Sequence, residues 1–294
     1  MNKWLMRLYY KIPIIRELNR IHNRFDAFPG HQRIIQTSAV IQAIEALKAG
    51  NERYRNPKRL LTHGAQYFSQ NYEDGMIAEI FRRISTTNKT FLEIGVGDGT
   101  ENNTAVLLAT GWRGFWLEGD SASCQAIECR LKKIPDTAAR IKLRQAILRP
   151  DNAAALLADL EVPKEIDLFS LDIDLNTYHV WAALPDFRPR VVVVEYNAAI
   201  PPTEPWVHPL HTDKLWDLTK AFGASLKSFE LLGREFGYSL VGCDITGNNA
   251  FFIRNDLLSD HFSDPFTAEN HYEPPRYGLC FHHGHNSIIL PVKN

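Results

Sequence analysis

Four short apolar runs in this chain end in acidic residues, and its capacity for chemistry concentrates there. Thr90–Ile94 carries Glu93 and leads into Gly95, Gly97 and Gly99 at alternate positions, with Asp98 between the last two. Gly114–Leu117 ends at Glu118-Gly119-Asp120. Ile166–Leu171 ends at Asp172-Ile173-Asp174, and Arg190–Val194 at Glu195-Tyr196-Asn197. Carboxylates accept strong hydrogen bonds from hydroxyl and amino groups, and they ligate hard cations. Where burial raises their pKa they also take protons from a reacting group. His179, one helical turn beyond Asp174, is a second candidate base. Glycines at alternate positions let the chain turn sharply and let backbone approach a ligand that a Cβ would exclude.

The spacing narrows the choice of ligand. Dinucleotide sites read G-x-G-x-x-G and phosphate loops end in Lys-Ser/Thr, whereas this turn reads E-x-G-x-G-x-G with no such lysine. A buried strand at Thr90–Ile94 precedes the turn. A helix carrying Ala105–Leu108, stopped at Gly111, and a second strand ending at Glu118 follow it, which makes half of a nucleotide-binding sheet. The stretch resembles the first motif of class I S-adenosylmethionine (SAM) methyltransferases. The resemblance implies that the turn at Glu93, Gly95, Gly97 and Asp98 passes the methionine part of SAM. It implies too that Glu118, with Gly119 and Asp120, takes the ribose hydroxyls. The segment before the first strand covers one side of such a site, so Gln70, with Ser69, Asn71 and Asp74, reaches the cofactor or else caps the helix around Met76–Ile84. Many members carry an acid at the end of the third strand to hold the adenine amino group; here Gln145-Ala146 stands there.

Asp172, Asp174 and Glu195 allow three readings. They coordinate a Mg²⁺-type ion, with Asn197 as an alternative ligand. Or Asp174 or His179 acts as a metal-free base. Or Asp172 only touches SAM or caps the next helix. Leu171-Asp172-Ile173-Asp174, Pro189-Arg190 and Val191–Glu195 resemble the FkbM-like methyltransferases, but Leu175 replaces their glycine and Thr177 their second acid. The text from FSQNYEDG to GNNAFFIR looks most like bacterial SAM-dependent methyltransferases associated with surface polysaccharide. That resemblance implies O-methylation of a small-molecule, sugar or glycan acceptor. Ala198–Asp213, with Trp206, His208 and His211, would be the acceptor wall. A D-x-D glycosyltransferase and a SAM-binding protein without catalysis are the competing functions.

The elements that must hold these residues read as an α/β fold. It is a Rossmann-like, mostly parallel sheet of seven strands, closed by an antiparallel hairpin at Tyr238–Cys243 and Ala250–Arg254. The third strand is expected at Arg140–Leu148, and helices at Ser121–Ile134, Asp151–Leu160, Tyr178–Leu184 and Ala224–Phe236. The expected domains are a helical extension at 1–60, a SAM-binding domain at 61–260 and a tail packed on it at 261–294. A net charge of −1 argues against an extended nucleic-acid surface. Cys124, Cys129, Cys243 and Cys280 form no disulfide framework. Without a signal peptide or membrane-spanning run, the chain reads as cytoplasmic. Residues 1–27 mix basic side chains with Ile14, Leu18, Ile21 and Phe25 at helical spacing. They pack on their own domain, pair with a second copy of the chain, or lie on the inner face of a membrane. Cys280, His282, His283 and His285 form a weaker candidate metal cluster.

Overall fold

The computed structural model describes residues 38–211 and 221–279. The amphipathic segment 1–27, the Cys280–His285 cluster and positions 212 and 213 lie outside the described residues. The chain divides into two units, Met1–Gly50 and Asn51–Asn294. In the first, residues 38–50 form a helix on which Ile44 is buried.

The second unit is built on a seven-stranded sheet in the order β3-β2-β1-β4-β5-β7-β6. The strands are β1 Thr90–Ile94, β2 Arg113–Glu118, β3 Ile141–Gln145, β4 Leu168–Leu171, β5 Val191–Glu195, β6 Tyr238–Cys243 and β7 Asn249–Arg254. β1 to β5 run parallel, and β7 runs antiparallel to both β5 and β6. The expected Rossmann-like sheet with a closing hairpin is therefore present. The valines of β5 divide between the two faces, Val192 and Val194 in one core cluster and Val191 and Val193 in the other. Burial on both faces is what a continuous apolar strand needs.

Register sets the site. Ile94 stands opposite Leu117 on one side and Leu171 on the other. Gly95, Glu118 and Asp172 therefore leave the sheet side by side at its carboxyl edge. At the amino edge, Asp167 accepts N–H bonds from Thr87, Asn88 and Lys89 and an Arg190 guanidinium bond at 2.7 Å. Arg190 also donates to the carbonyls of Ile84 and Ser85, closing the end of the preceding helix.

Several boundaries differ from expectation for local reasons. The helix before β1 starts at Glu73, directly after Tyr72 in a left-handed conformation (φ +71°). The helix from Ser121 ends at Leu131, because Pro135 opens a separate short helix and holds Ile134 out of the helical region. β3 stops at Gln145, and the helix expected from Ala224 starts at Leu226 with the Ser225 hydroxyl as its cap.

Candidate functional site

The loop after β1 is folded around Glu93. This side chain is buried, and its carboxylate accepts from Asn102 Nδ2 (2.6 Å), the Asn103 amide (2.8 Å), the Thr104 amide (3.0 Å) and the Thr104 hydroxyl. Burial pushes its pKa up to about 7 despite these bonds. Gly95 has φ +82°, and a Cβ there would lie 1.7 Å from the Asp172 carbonyl, so only glycine lets the two strand ends pass. Gly97, at φ +54°, faces open space. Its amide donates to Glu118 Oε2 at 2.7 Å, while the Asp120 amide donates to Oε1 at 2.8 Å. Glu118 thus joins the tip of β2 to the glycine turn and keeps lone pairs on both oxygens for other donors.

The neighbouring predicted residues have local partners. Asp98 pairs with Arg130 at 2.7 Å and bonds Thr100. Asp120 caps the helix Ser121–Leu131 through the Ser123 amide at 2.7 Å. A Cβ on Gly119 would lie 3.3 Å from the side chain of Ile147, a residue 64 % exposed just beyond β3. Gln70 donates to Glu101 at 3.0 Å. Asp74 gathers the amides of Tyr67, Phe68 and Ser69.

A cavity of about 300 Å³ opens beside the turn. Gln70, Glu73, Asn102, Asp172, Asn248 and Asn249 are among the residues that line it. Because β7 runs antiparallel, the turn joining it to β6 returns to the carboxyl edge and brings Asn248 and Asn249 there. Glu73 is held by the Asn71 amide (2.6 Å) and Asn249 Nδ2 (2.6 Å). Asp244, whose carboxylate accepts the amides of Thr246, Asn248 and Asn249, shapes the turn; burial and then the Glu73 charge raise its pKa to about 7. Sequence reasoning missed the cavity residues Glu73, Asn102, Asn248 and Asn249. The hairpin's direction was the signal for the two asparagines of the turn.

Next to this cavity, Asp172, Asp174 and Glu195 each offer an oxygen, all within 4.8 Å of one another. Glu195 Oε2 is sealed from water and has no hydrogen-bond partner. Burial, then the Asp174 charge, raises Asp172 to about 6. Burial and the two aspartates push Glu195 well above the carboxylate range, and burial raises Asp174. Asp174 also sits at φ +53°, a conformation that a non-glycine residue adopts at a cost in strain. Thr177, standing where the second acid was expected, uses its hydroxyl to accept the Ile173 amide at 3.1 Å. Asn197 is fully buried and donates to the Phe222 carbonyl, so it supports the loop from below.

His179 lies on the helix Thr177–Ala182, and its Nε2 is 2.8 Å from the His208 carbonyl, which requires that nitrogen to carry the proton. His179 is thereby tied to the loop after β5, where the rings of Trp206, His208 and His211 follow one another at centroid distances of 5.9 and 4.9 Å. The Tyr272 hydroxyl holds the start of that loop through the Ala198 carbonyl at 2.6 Å.

Among solved structures, the chain is similar to a putative O-methyltransferase from Klebsiella pneumoniae, with 16 % identity over 76 % of this chain and 100 % of that chain, at a TM-score of 0.47. It is also similar to the magnesium protoporphyrin IX methyltransferase of Synechocystis PCC 6803 with bound SAM, with 10 % identity over 73 % and 96 % of the two chains and a TM-score of 0.42. A third similarity is to the glycopeptide N-methyltransferase MtfA complexed with SAM, with 13 % identity over 60 % and 85 % and a TM-score of 0.36. No protein-family model and no curated protein matches the chain. At these identities and TM-scores the likenesses assign no activity to it.

Proposed function

We propose that this chain is a SAM-dependent methyltransferase whose acceptor is a hydroxyl of a sugar or glycan. The clasp of Glu118 onto the Gly97 amide carries the reading. It sets a carboxylate with lone pairs to spare beside a tight glycine turn and a polar cavity, at the edge where open parallel sheets bind ligands. Glu118 would accept the ribose hydroxyls, the exposed side chain of Ile147 would lie against the adenine, and the cavity would hold the methionine end. Glu93, buried under its loop, and Asp98, paired with Arg130, then act on the cofactor through the loop they fix, and Asp120 acts by capping the next helix.

When bound, SAM supplies a methyl group on a positively charged sulfur. The chain's own task is to align the acceptor oxygen with that carbon and the sulfur behind it. With SAM in place, the acceptor oxygen would take the methyl carbon, the electron pair of the broken C–S bond would stay on sulfur, and the hydroxyl proton would pass to Asp174. Asp174 suits this because it is half-buried beside the cavity and burial has raised its proton affinity. Trp206 gives a flat face on which a sugar ring can stack, and His179 positions it by holding the His208 carbonyl. The three acidic oxygens also fit a Mg²⁺-type ion in donor type and spacing. Such an ion would lower the pKa of a bound hydroxyl.

Calorimetry on the full chain tests the reading, with SAM in one series and nucleotide sugars in another. SAM binding without nucleotide-sugar binding is expected, and the reverse order would make this a glycosyltransferase. SAM binding without methyl transfer to any acceptor in extracts of the native glycans would leave a binding protein. Loss of turnover on chelation, restored by Mg²⁺, would assign the three carboxylates to a metal in place of metal-free base catalysis.

A further inference from the structure

After β4 the chain makes one 3₁₀ turn, Asp174–Asn176, and enters the helix Thr177–Ala182 at once. Two side chains of this stretch reach across to the loop after β5. Asn176 Nδ2 donates to the His211 carbonyl at 2.5 Å, and Asn176 Oδ1 accepts the His211 amide at 3.2 Å. One side-chain amide thus serves both backbone groups of a residue 35 positions away, as a neighbouring strand would. The pairing fixes its orientation, because turning it over would set oxygen against oxygen. Three residues on, His179 meets the His208 carbonyl at 2.8 Å. From the other side, Trp206 is bonded to Ser225 and His208 to the Gly223 carbonyl. A Cβ on Gly223 would lie 3.4 Å from the Asp174 carbonyl.

We propose that Asn176 is a positioning residue: its pairing with His211 sets the acceptor wall at residues 206–211 against Asp174, and recognition of the acceptor depends on it. This rests on the reading of Asp174 and that loop as the acceptor side of a methyltransferase. Asn176 follows Asp174 by two residues, with the buried Leu175 between them, so the turn that places the base also places the amide. With the His211 backbone held, its ring stands 4.9 Å from that of His208, which stands 5.9 Å from Trp206. A shift at Asn176 therefore passes along the row of rings on which an acceptor would rest. Asn176 does not line the cavity beside the glycine turn, so the donor side should not register the same change.

The test is transfer of a labelled methyl group from SAM to an extract of the native glycans, with SAM affinity measured by calorimetry on the same full-chain samples. Asn176→Leu keeps the shape and loses both bonds. Its apparent KM for the extract should rise roughly tenfold, the size of a lost pair of neutral hydrogen bonds, with SAM affinity held within about twofold. Asn176→Asp keeps an acceptor for the His211 amide but sets a second oxygen against the carbonyl, and should raise KM at least as far. A wild-type KM in Asn176→Asp overturns the inference, because polarity alone would then suffice. A fall in kcat at unchanged KM in Asn176→Leu overturns it too, since fewer folded molecules would explain that. Loss of SAM affinity in both variants overturns it as well, by making Asn176 a prop of the sheet edge. Should Asn176→Leu fail to fold, the KM of Asn176→Asp decides alone. Failure of wild-type protein to bind SAM, or to methylate anything in the extract, overturns the methyltransferase reading itself, and this inference with it.

Discussion

At the amino edge of the sheet, Asp167 meets Arg190 at 2.7 Å and takes N–H bonds from three successive residues. At the carboxyl edge, Asp172, Asp174 and Glu195 meet one another, and no lysine or arginine among the described residues pairs with them. Asp167 is fully buried and the three acids of the other edge are partly so, yet their proton affinities move in opposite directions. Burial works against ionisation of Asp167, but the Arg190 guanidinium and the N–H bonds hold it below the usual range. Burial pushes the three acids of the other edge up, and the charges of their acidic neighbours add to this for Asp172 and Glu195. At the amino edge the buried charge is neutralised by a cation of the chain itself. Acids left facing each other are neutralised by a proton, a metal or a ligand from outside, so the contrast between the edges separates scaffold from site.

The largest effect should come from the scaffold edge. Arg190→Ala leaves Asp167 buried without its cation and should cost about 3–5 kcal/mol of stability, read by denaturant unfolding. A loss under about 1 kcal/mol would erase the contrast. Asp174→Asn should act the other way. Asparagine tolerates the positive φ of that position, so the unfolding midpoint should hold or rise while turnover on the acceptor falls about 100-fold. Turnover that survives this change would remove Asp174 from the chemistry. Next in size, Glu118→Ala frees the Gly97 and Asp120 amides and should weaken SAM binding about tenfold or more, measured by calorimetry, with little change in stability. An unchanged affinity would mean that the tip of β2 does not hold the cofactor.

How much of this was legible in the chain varied with the range of the interactions involved. β1 and β6 lie at their expected bounds, and the order of acids at the strand tips could be read because each follows directly on an apolar run. Partners brought together from distant segments could not be read. Nothing local says that Asn249 would reach Glu73, that Arg130 would take Asp98, or that His179 would grip the His208 carbonyl. Gly97 and Glu118 were each visible, but their 2.7 Å bond depends on β1 and β2 pairing in one particular register. The end of β3 was overestimated because Ala146, Ile147 and Leu148 continue an apolar pattern. Only the Ala146 amide still follows the sheet, bonding to the Glu118 carbonyl at 2.8 Å, and Ile147 then turns outward.

The smallest effect sharpens the comparison through pH. Glu93 and Asp244, at about 7, and Glu195, well above the carboxylate range, bind protons in the folded chain that the unfolded chain releases near pH 4. A raised acid contributes stability at low pH and loses it as pH rises through its folded value, at on the order of 1 kcal/mol per pH unit for each proton held. His271 opposes this in acid, because burial lowers its pKa to about 3 and the unfolded chain gains its proton below about 6.5. Glu79, drawn down to about 2 chiefly by its bond to Arg82, matters only below the ordinary carboxylate range. Between about pH 6.5 and 8 the raised acids therefore decide the slope, and the thermal midpoint of the ligand-free chain should fall by several degrees. Glu195→Gln copies the protonated carboxyl, so it should keep the midpoint at pH 6.5 and flatten part of that slope. A midpoint that stays level or rises from pH 6.5 to 8 would mean that these acids are already ionised, and the carboxyl edge would then be as well neutralised as the amino edge.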